Sequence, residues 1–205
     1  MSKPIRITEV LNYFTEPWML DWYAKNGKAY CNRVSKAAMK VGTRVDEIIK
    51  KECVESSHIA TQYKKESDEV RNALTAYRKW ADVYKPKSIT PCTRLYATIN
   101  SHEITGEPDL MVDNVLVDIK CSGSISLKYW LQVNMYRHLE PGPYGKDNSS
   151  KVAILRLDKK TGSYEYVVKD YDPKLVDVWC GLLNAYVYLK ESENGRLDVQ
   201  ESGEN

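Results

Sequence analysis

The stretch Gly106 to Lys120, GEPDLMVDNVLVDIK, limits the folds open to this chain more than any other. Asp113-Asn114 has the chemistry of a two-residue hairpin turn and lies between two runs of strand-forming residues. With the turn placed there the register follows: Val112 faces Val115, Met111 faces Leu116, Leu110 faces Val117, and Asp109 faces Asp118. Side chains alternate along a strand, so Leu110, Val112, Val115, Val117 and Ile119 form one unbroken apolar row, while Asp109, Met111, Leu116, Asp118 and Lys120 share the other face. The apolar row must enter a core.

The polar face carries the chemistry. Carboxylates opposed across two strands, with Cβ atoms roughly 5 Å apart, repel each other unless a cation or a shared proton lies between them. A small site of carboxylates suits a hard, oxygen-preferring ion such as Mg²⁺ or Mn²⁺. Zinc suits it less, because the only nearby His or Cys is Cys121, which alternation points away. Lys120 lies two residues past Asp118 on the same face and reaches the same volume. For phosphodiester hydrolysis the parts have clear roles: the ion lowers the pKa of a water and shields phosphate charge, and the ammonium orients the nucleophile and stabilises developing charge. The plain alternative is a surface hairpin whose Asp118 and Lys120 form a solvated ion pair.

The rest of the chain supplies an α/β setting. Apolar residues at helical spacing run from about Ile7 to Tyr23, Ser35 to Glu55 and Ile59 to Tyr84, until KPKSITP ends helical structure. Strands follow in RLYATINSHEITG and in the hairpin above. A helix is expected from about Ser126 to Leu139, stopped by EPGPYG, then a second hairpin made of KVAILRLDKK and SYEYVVKDY. A last helix is expected from Pro173 to about Lys190. The order of elements predicts a mixed α/β domain around a central sheet. We expect one domain over residues 1–190, mainly helical over 1–85 and sheet-containing over 92–190, followed by a polar, frayed tail over 191–205.

Two further segments, with the hairpin, carry a resemblance. Gly106-Glu107-Pro108-Asp109 followed by Asp118-Ile119-Lys120 resembles the signature of the PD-(D/E)XK nuclease superfamily. Gly42-Thr43-Arg44-Val45-Asp46-Glu47 resembles the upstream G-T-x-x-H-E motif of its RecB-like exonuclease branch, and Gln132-Val133-Asn134-Met135-Tyr136 is similar to the Q-x-x-x-Y motif. That branch includes the CRISPR-associated RecB-like nucleases, the mitochondrial genome maintenance exonuclease and many viral exonucleases. The resemblance implies a restriction-endonuclease-like core, a mixed central β-sheet flanked by helices with a helical amino-terminal part, and Mg²⁺ or Mn²⁺ held by Asp109, Asp118 and the backbone carbonyl of Ile119. It further implies Lys120 as the catalytic lysine and Thr43, Arg44, Ser122, Gln132 and Tyr136 along the substrate.

The motif's usual His is Asp46 here, which keeps an oxygen ligand but leaves metal preference open. Helix geometry favours Asp46 over Glu47 as the inward acid: at about 100° per residue Asp46 flanks the stripe of Val41, Val45, Ile48 and Ile49, and Glu47 lies nearly opposite. Gln132 and Tyr136, one turn apart, can meet at one spot; Tyr136 as core with Gln132 bonding a strand is an equal reading.

Composition trims the alternatives. The 205 residues are 42% hydrophobic and 28% charged, with 30 Lys and Arg against 28 Asp and Glu, which excludes strongly basic DNA-coating proteins and acidic disordered ones. The charge is uneven. From Trp22 to Lys51 there are eight basic residues (Lys25, Lys28, Arg33, Lys36, Lys40, Arg44, Lys50, Lys51) against Asp46 and Glu47, and Trp22, Tyr23 and Tyr30 lie among them. Such a segment either steers a nucleic-acid backbone and stacks bases or is a solvated helical face. Five widely spaced cysteines, at 31, 53, 92, 121 and 180, suggest free thiols in a reducing compartment and no iron-sulfur cluster. No phosphate-binding glycine loop occurs, so no ATP use is expected, and no run is apolar enough for a membrane helix.

The expectation is an intracellular, metal-dependent DNA nuclease, in the host cytoplasm if viral, with a compactness that suits a phage or virus. An exonuclease of recombination, repair or replication leads. A structure-specific or single-strand endonuclease and a catalytically inactive DNA-binding protein are the alternatives. DNA is the expected partner, with room for a homo-oligomer or a separate helicase or recombination partner.

Overall fold

Asp113 and Asn114 both take left-handed backbone conformations, with φ of 48° and 66°, and the hairpin closes in the register that the turn dictates. Leu110 pairs with Val117, Met111 with Leu116 and Val112 with Val115. The Asp113 carboxylate also ties the turn to the preceding segment, accepting hydrogen bonds from the amides of Lys87 at 2.9 Å and Ser88 at 2.8 Å. These contacts belong to a computed structural model that describes residues 3–55, 62–140 and 150–201.

Around this hairpin the chain runs β1 (Ile5–Arg6), α1 (Ile7–Tyr13), α2 (Pro17–Asn26), α3 (Lys28–Glu55), a short 3₁₀ turn (Gln62–Lys65) and α4 (Asp68–Tyr84). Then come β2 (Ile89–Pro91), β3 (Leu95–Ile99), β4 (His102–Gly106), β5 (Leu110–Val112), β6 (Val115–Lys120), α5 (Leu127–Leu139), β7 (Lys151–Leu157), β8 (Tyr164–Asp170) and α6 (Pro173–Glu201). The main sheet has the order β2-β5-β6-β7-β8 and a smaller one the order β1-β4-β3. Strands β6 and β7 are parallel and the other neighbours in the main sheet antiparallel. The sheet is therefore mixed.

Helices cover both faces. The row Leu110, Val112, Val115, Val117 and Ile119 packs on Val45, Ile48, Ile49, Leu74 and Trp80 of α3 and α4. The opposite face is buried too, for Leu116, Val152 and Ile154 meet Met135 of α5, Trp179 and Leu183 of α6 and Ile7 of α1. Helices on both faces are what a parallel pair at the sheet centre requires. The polar face of β6 thus opens only at its carboxyl end, beyond Leu116. This layered α/β fold, with its helical amino-terminal part, is restriction-endonuclease-like.

Several boundaries differ from the sequence reading. The stretch from Ile7 to Tyr23 is two helices, because Pro17 is the first residue of α2 and holds Glu16 extended at φ −68° and ψ 141°. Gly27, with φ 80°, ends α2, and α3 begins at Lys28 rather than near Ser35. The third helix begins at Asp68, where the Ser67 hydroxyl accepts from the Val70 amide; its expected start at Ile59 lies outside the described residues, as does most of EPGPYG. Within the KPKSITP break, its last three residues, Ile89–Pro91, form an edge strand, where a proline's missing N–H costs little. Helix α6 continues past Lys190 to Glu201, through the segment expected to fray.

Candidate active site

A cleft of about 430 Å³ opens where the carboxyl end of β6 meets α3 and α5. Asp46, Asp109, Asp118, Ile119, Lys120, Ser122, Thr43 and Gln132 all line it. Each reaches it for a local reason. Asp109 directly precedes β5, and the register carries it opposite Asp118. Its Oδ2 accepts a 2.6 Å hydrogen bond from the Ile119 amide, clamping the two strands at their open end. Asp46 leaves α3 on the flank of the stripe made by Val45, Ile48 and Ile49, whereas Glu47 projects into solvent.

The electrostatics are those of a crowded acid cluster. Asp118 is only 1% exposed. Its Oδ2 stands 2.7 Å from Lys120 Nζ, and its Oδ1 accepts from Gln132 Nε2 at 3.3 Å. Burial, reinforced by the charge of Asp118, pushes the Asp109 carboxyl up to about 7. Burial likewise raises Asp118, against the pull of Lys120. The facing pair therefore resists carrying two negative charges. Burial opposes the charge on Lys120, but Asp118 and Asp109 outweigh it and hold the ammonium above its ordinary range.

Gln132 Nε2 also donates to the Tyr136 hydroxyl at 2.7 Å, so amide and phenol meet at one spot and extend inward from Asp118. Burial, then the charges of Asp118 and Asp109, raises the Tyr136 phenol and keeps its proton in place. Tyr136 lies against Gly106: a Cβ there would fall 2.5 Å from Tyr136 Cε1 and 2.8 Å from Ile7 Cδ1. Glycine permits the approach of α5 to the strand that leads into the site.

Arg44 is placed elsewhere. It turns from the cleft to pair with Glu66 at 2.6 Å and Glu47 at 3.2 Å. Two residues along a helix are about 200° apart, so Arg44 and Asp46 cannot share a face. The Ser122 hydroxyl donates to the Ser124 carbonyl at 2.8 Å while its residue lines the cleft.

Three residues at the site were not picked out from the sequence. Lys50, one turn beyond Asp46, places Nζ 3.0 Å from Asp46 Oδ2, 3.6 Å from Glu107 Oε1 and 4.0 Å from Asp109 Oδ1. The i,i+4 spacing was a usable signal. Glu107 is shared between Lys50 and Arg94, whose hydrogen bond is the main cause of its lowered pKa. Tyr129 brings its ring to 5.1 Å from Lys120 Nζ, an approach set by the docking of α5 and not by any local pattern.

Among the described residues, no three His, Cys, Asp or Glu side chains already stand as a set that could close on a metal ion. Lys50 and Lys120 stand among the carboxylates. The donor set nevertheless fits a hard divalent cation. Asp46 Oδ1 is buried with no hydrogen-bond partner, and Asp118 Oδ2 is buried with the Lys120 ammonium at 2.7 Å as its counter-charge. In a strand the amide and carbonyl of one residue face the same edge, so the Ile119 carbonyl is directed toward Asp109.

The fold is similar to that of an alkaline exonuclease from Laribacter hongkongensis. Identity is 14%, the TM-score 0.51, and the match covers 97% of this chain and 93% of that one. It is also similar to a candidate exonuclease from Eubacterium rectale, at 15% identity and a TM-score of 0.51, over 76% of this chain and 68% of that one. At such identities the likeness establishes the fold. No family model matches the chain, and no curated protein does. No described helix is long and apolar enough to cross a membrane.

Proposed function

We propose that this chain is a metal-dependent deoxyribonuclease of the PD-(D/E)XK superfamily and its RecB-like branch, hydrolysing phosphodiester bonds as an exonuclease in DNA recombination, repair or replication. The observation that carries the reading is the convergence of Asp109, Asp118 and Lys120 with Asp46 in one cleft, where Asp46 Oδ1 is buried with no hydrogen-bond partner. The exonuclease names of the two structures with the same fold support it. We read residues 1–190 as one nuclease domain.

Asp109, Asp118, Asp46 and the Ile119 carbonyl would hold Mg²⁺ or Mn²⁺. When bound there, the ion supplies a lowered pKa for the attacking water and a counter-charge for the phosphate. Lys120 keeps its proton at Nζ and presents a fixed positive charge to the scissile phosphate, with the Tyr129 ring limiting its swing. Gln132 holds Asp118 Oδ1, and Tyr136 in turn positions Gln132. Helix α3 forms the opposite wall through Ala38, Met39, Gly42 and Thr43, and its basic residues continue outward from the cleft as a track for a DNA backbone.

End-labelled linear DNA and circular DNA, incubated with Mg²⁺, Mn²⁺ or EDTA, test the reading. Cleavage of linear DNA that needs the ion and spares the circle is the expected result. Cutting of circular single strands indicates a structure-specific or single-strand endonuclease instead. The location of Lys50 among the carboxylates favours one further reading, a DNA-binding protein without catalysis. A gel shift with no cleavage in either metal supports that alternative.

A further inference from the structure

We propose that Lys50 is a resident counter-cation of the carboxylate cluster, one that a divalent ion must displace from Asp46, so that the chain's own ammonium limits how tightly the cleft holds metal. The inference rests on the reading of the cleft as a metal site. Lys50 Nζ lies 3.0 Å from Asp46 Oδ2, 3.6 Å from Glu107 Oε1 and 4.0 Å from Asp109 Oδ1. Those three carboxylates come from α3 and from the segment between β4 and β5. The lysine side chain is 22% exposed, which puts the ammonium within the cluster. This is more than an i,i+4 pair on a helix surface, where the partners are solvated and the pairing contributes little.

Charge matching explains the arrangement. Asp118 has Lys120 at 2.7 Å, and Glu107 has Arg94 at 2.8 Å. Asp46 pairs with Lys50, and Asp109 feels both lysines, Lys50 at 4.0 Å and the charge of Lys120. Removing the charge of Lys50 strands carboxylates in a partly desolvated site. A divalent ion supplies that same compensation, and the two cations cannot share Asp46: like charges a few ångströms apart repel strongly where water is scarce. Without the ion, Asp46 Oδ2 is held by Lys50 and Oδ1 is buried and unpartnered, so the ion enters at Oδ1 against the charge already seated on Oδ2. Engagement of Asp46 by metal therefore drives the ammonium toward Glu107 or solvent.

The test is direct Mn²⁺ binding, read by the electron paramagnetic resonance signal of free Mn²⁺ during titration of the full chain. Lys50→Met and Lys50→Gln are expected to bind Mn²⁺ at least tenfold more tightly than the parent, and Lys50→Arg to bind within about twofold of it. In EDTA the two neutral variants should melt below the parent, and saturating Mn²⁺ should remove the difference. Unchanged or weaker Mn²⁺ binding by Lys50→Gln, which keeps a hydrogen-bonding group beside Asp46, overturns the inference even where Lys50→Met fails to fold. Mn²⁺ binding by the parent without a gain in the variants sinks only the role of Lys50. Binding by none of them overturns the metal reading of the cleft as well.

Discussion

Asp109 Oδ2 accepts a 2.6 Å hydrogen bond from the amide of Ile119, the residue between Asp118 and Lys120. One carboxylate is thereby tied to the strand that carries the other two polar groups. The site's geometry is set by main chain as much as by side chain. A turn of two residues at the far end of the hairpin decides the register, and the register decides that Asp109 meets this amide and no other. Consequences for stability and chemistry follow from that arrangement.

The Asp118–Lys120 pair is buried, so its members are not equivalent under mutation. Lys120→Met leaves a carboxylate without its cation and should lower metal-free stability by about 3–5 kcal/mol, whereas Asp118→Asn/Lys120→Met should recover much of that loss. Urea denaturation in EDTA measures the cycle. Asp118→Asn alone should fold and lose cleavage by at least about a hundredfold. Full activity of Asp118→Asn on end-labelled DNA would exclude the proposed site.

The raised carboxyl of Asp109 predicts how metal-free stability depends on pH. Its unfolded pKa is about 3.9, and burial beside Asp118 pushes the folded value up to about 7. Between these values the folded state binds more protons than the unfolded, so stability must fall as pH rises through that window and level off above it. Asp109→Asn removes the titration. The parent should therefore lose stability relative to Asp109→Asn from about pH 4 to pH 7 in EDTA, as followed by melting temperature. A difference that stays flat across this range contradicts the assignment.

What could be read from the sequence was what local chemistry determines. Asp113-Asn114 and strict alternation were enough to oppose Asp109 and Asp118, and a 100° step separated Asp46 from Glu47. Pro17 and Gly27 also carried readable breaks, which the apolar periodicity of Ile7 to Tyr23 obscured. Other features depended on how helices dock. Nothing local says that the α5 ring of Tyr129 lies over Lys120, or that Lys50 turns into the acids while Arg44 joins Glu66. Counted in a basic run, Lys50 looked like its neighbours. The end of α6 was misread because its last turns are polar, and polarity alone does not terminate a helix.

Gly106 is the narrowest steric constraint near the site. A Cβ there would strike the Tyr136 ring and the Ile7 side chain, both packed in the core shared by α1, α5 and α6. Gly106→Ala should cost about 1–3 kcal/mol through overpacking. It should also displace α5, which carries Gln132 to Asp118. Gly106→Ala/Tyr136→Leu removes the obstructing ring and should regain stability, although it forfeits the bond from Gln132 to Tyr136. A thermal melt of the two variants separates this account from a backbone effect, which the second change could not relieve.

The outer half of α3 should determine binding without determining chemistry. Helix α2 buries none of its residues and packs along α3, and Trp18, Tyr30 and Met39 are exposed, Met39 at 70%. Lys36 and Lys40 are exposed on the same helix that forms the cleft wall through Ala38, Met39, Gly42 and Thr43. If this arm tracks a DNA backbone, each phosphate contact releases counterions and contributes about 0.9 to the slope of log affinity against log salt. Lys36→Glu/Lys40→Glu should then weaken binding and reduce that slope by about 1 to 2. Fluorescence anisotropy with labelled DNA, in EDTA across a salt series, reads both. Cleavage at saturating DNA should change far less than affinity, because neither lysine lines the cleft. An unchanged salt slope would show the lysines to be a solvated face, leaving the cleft itself to bind DNA.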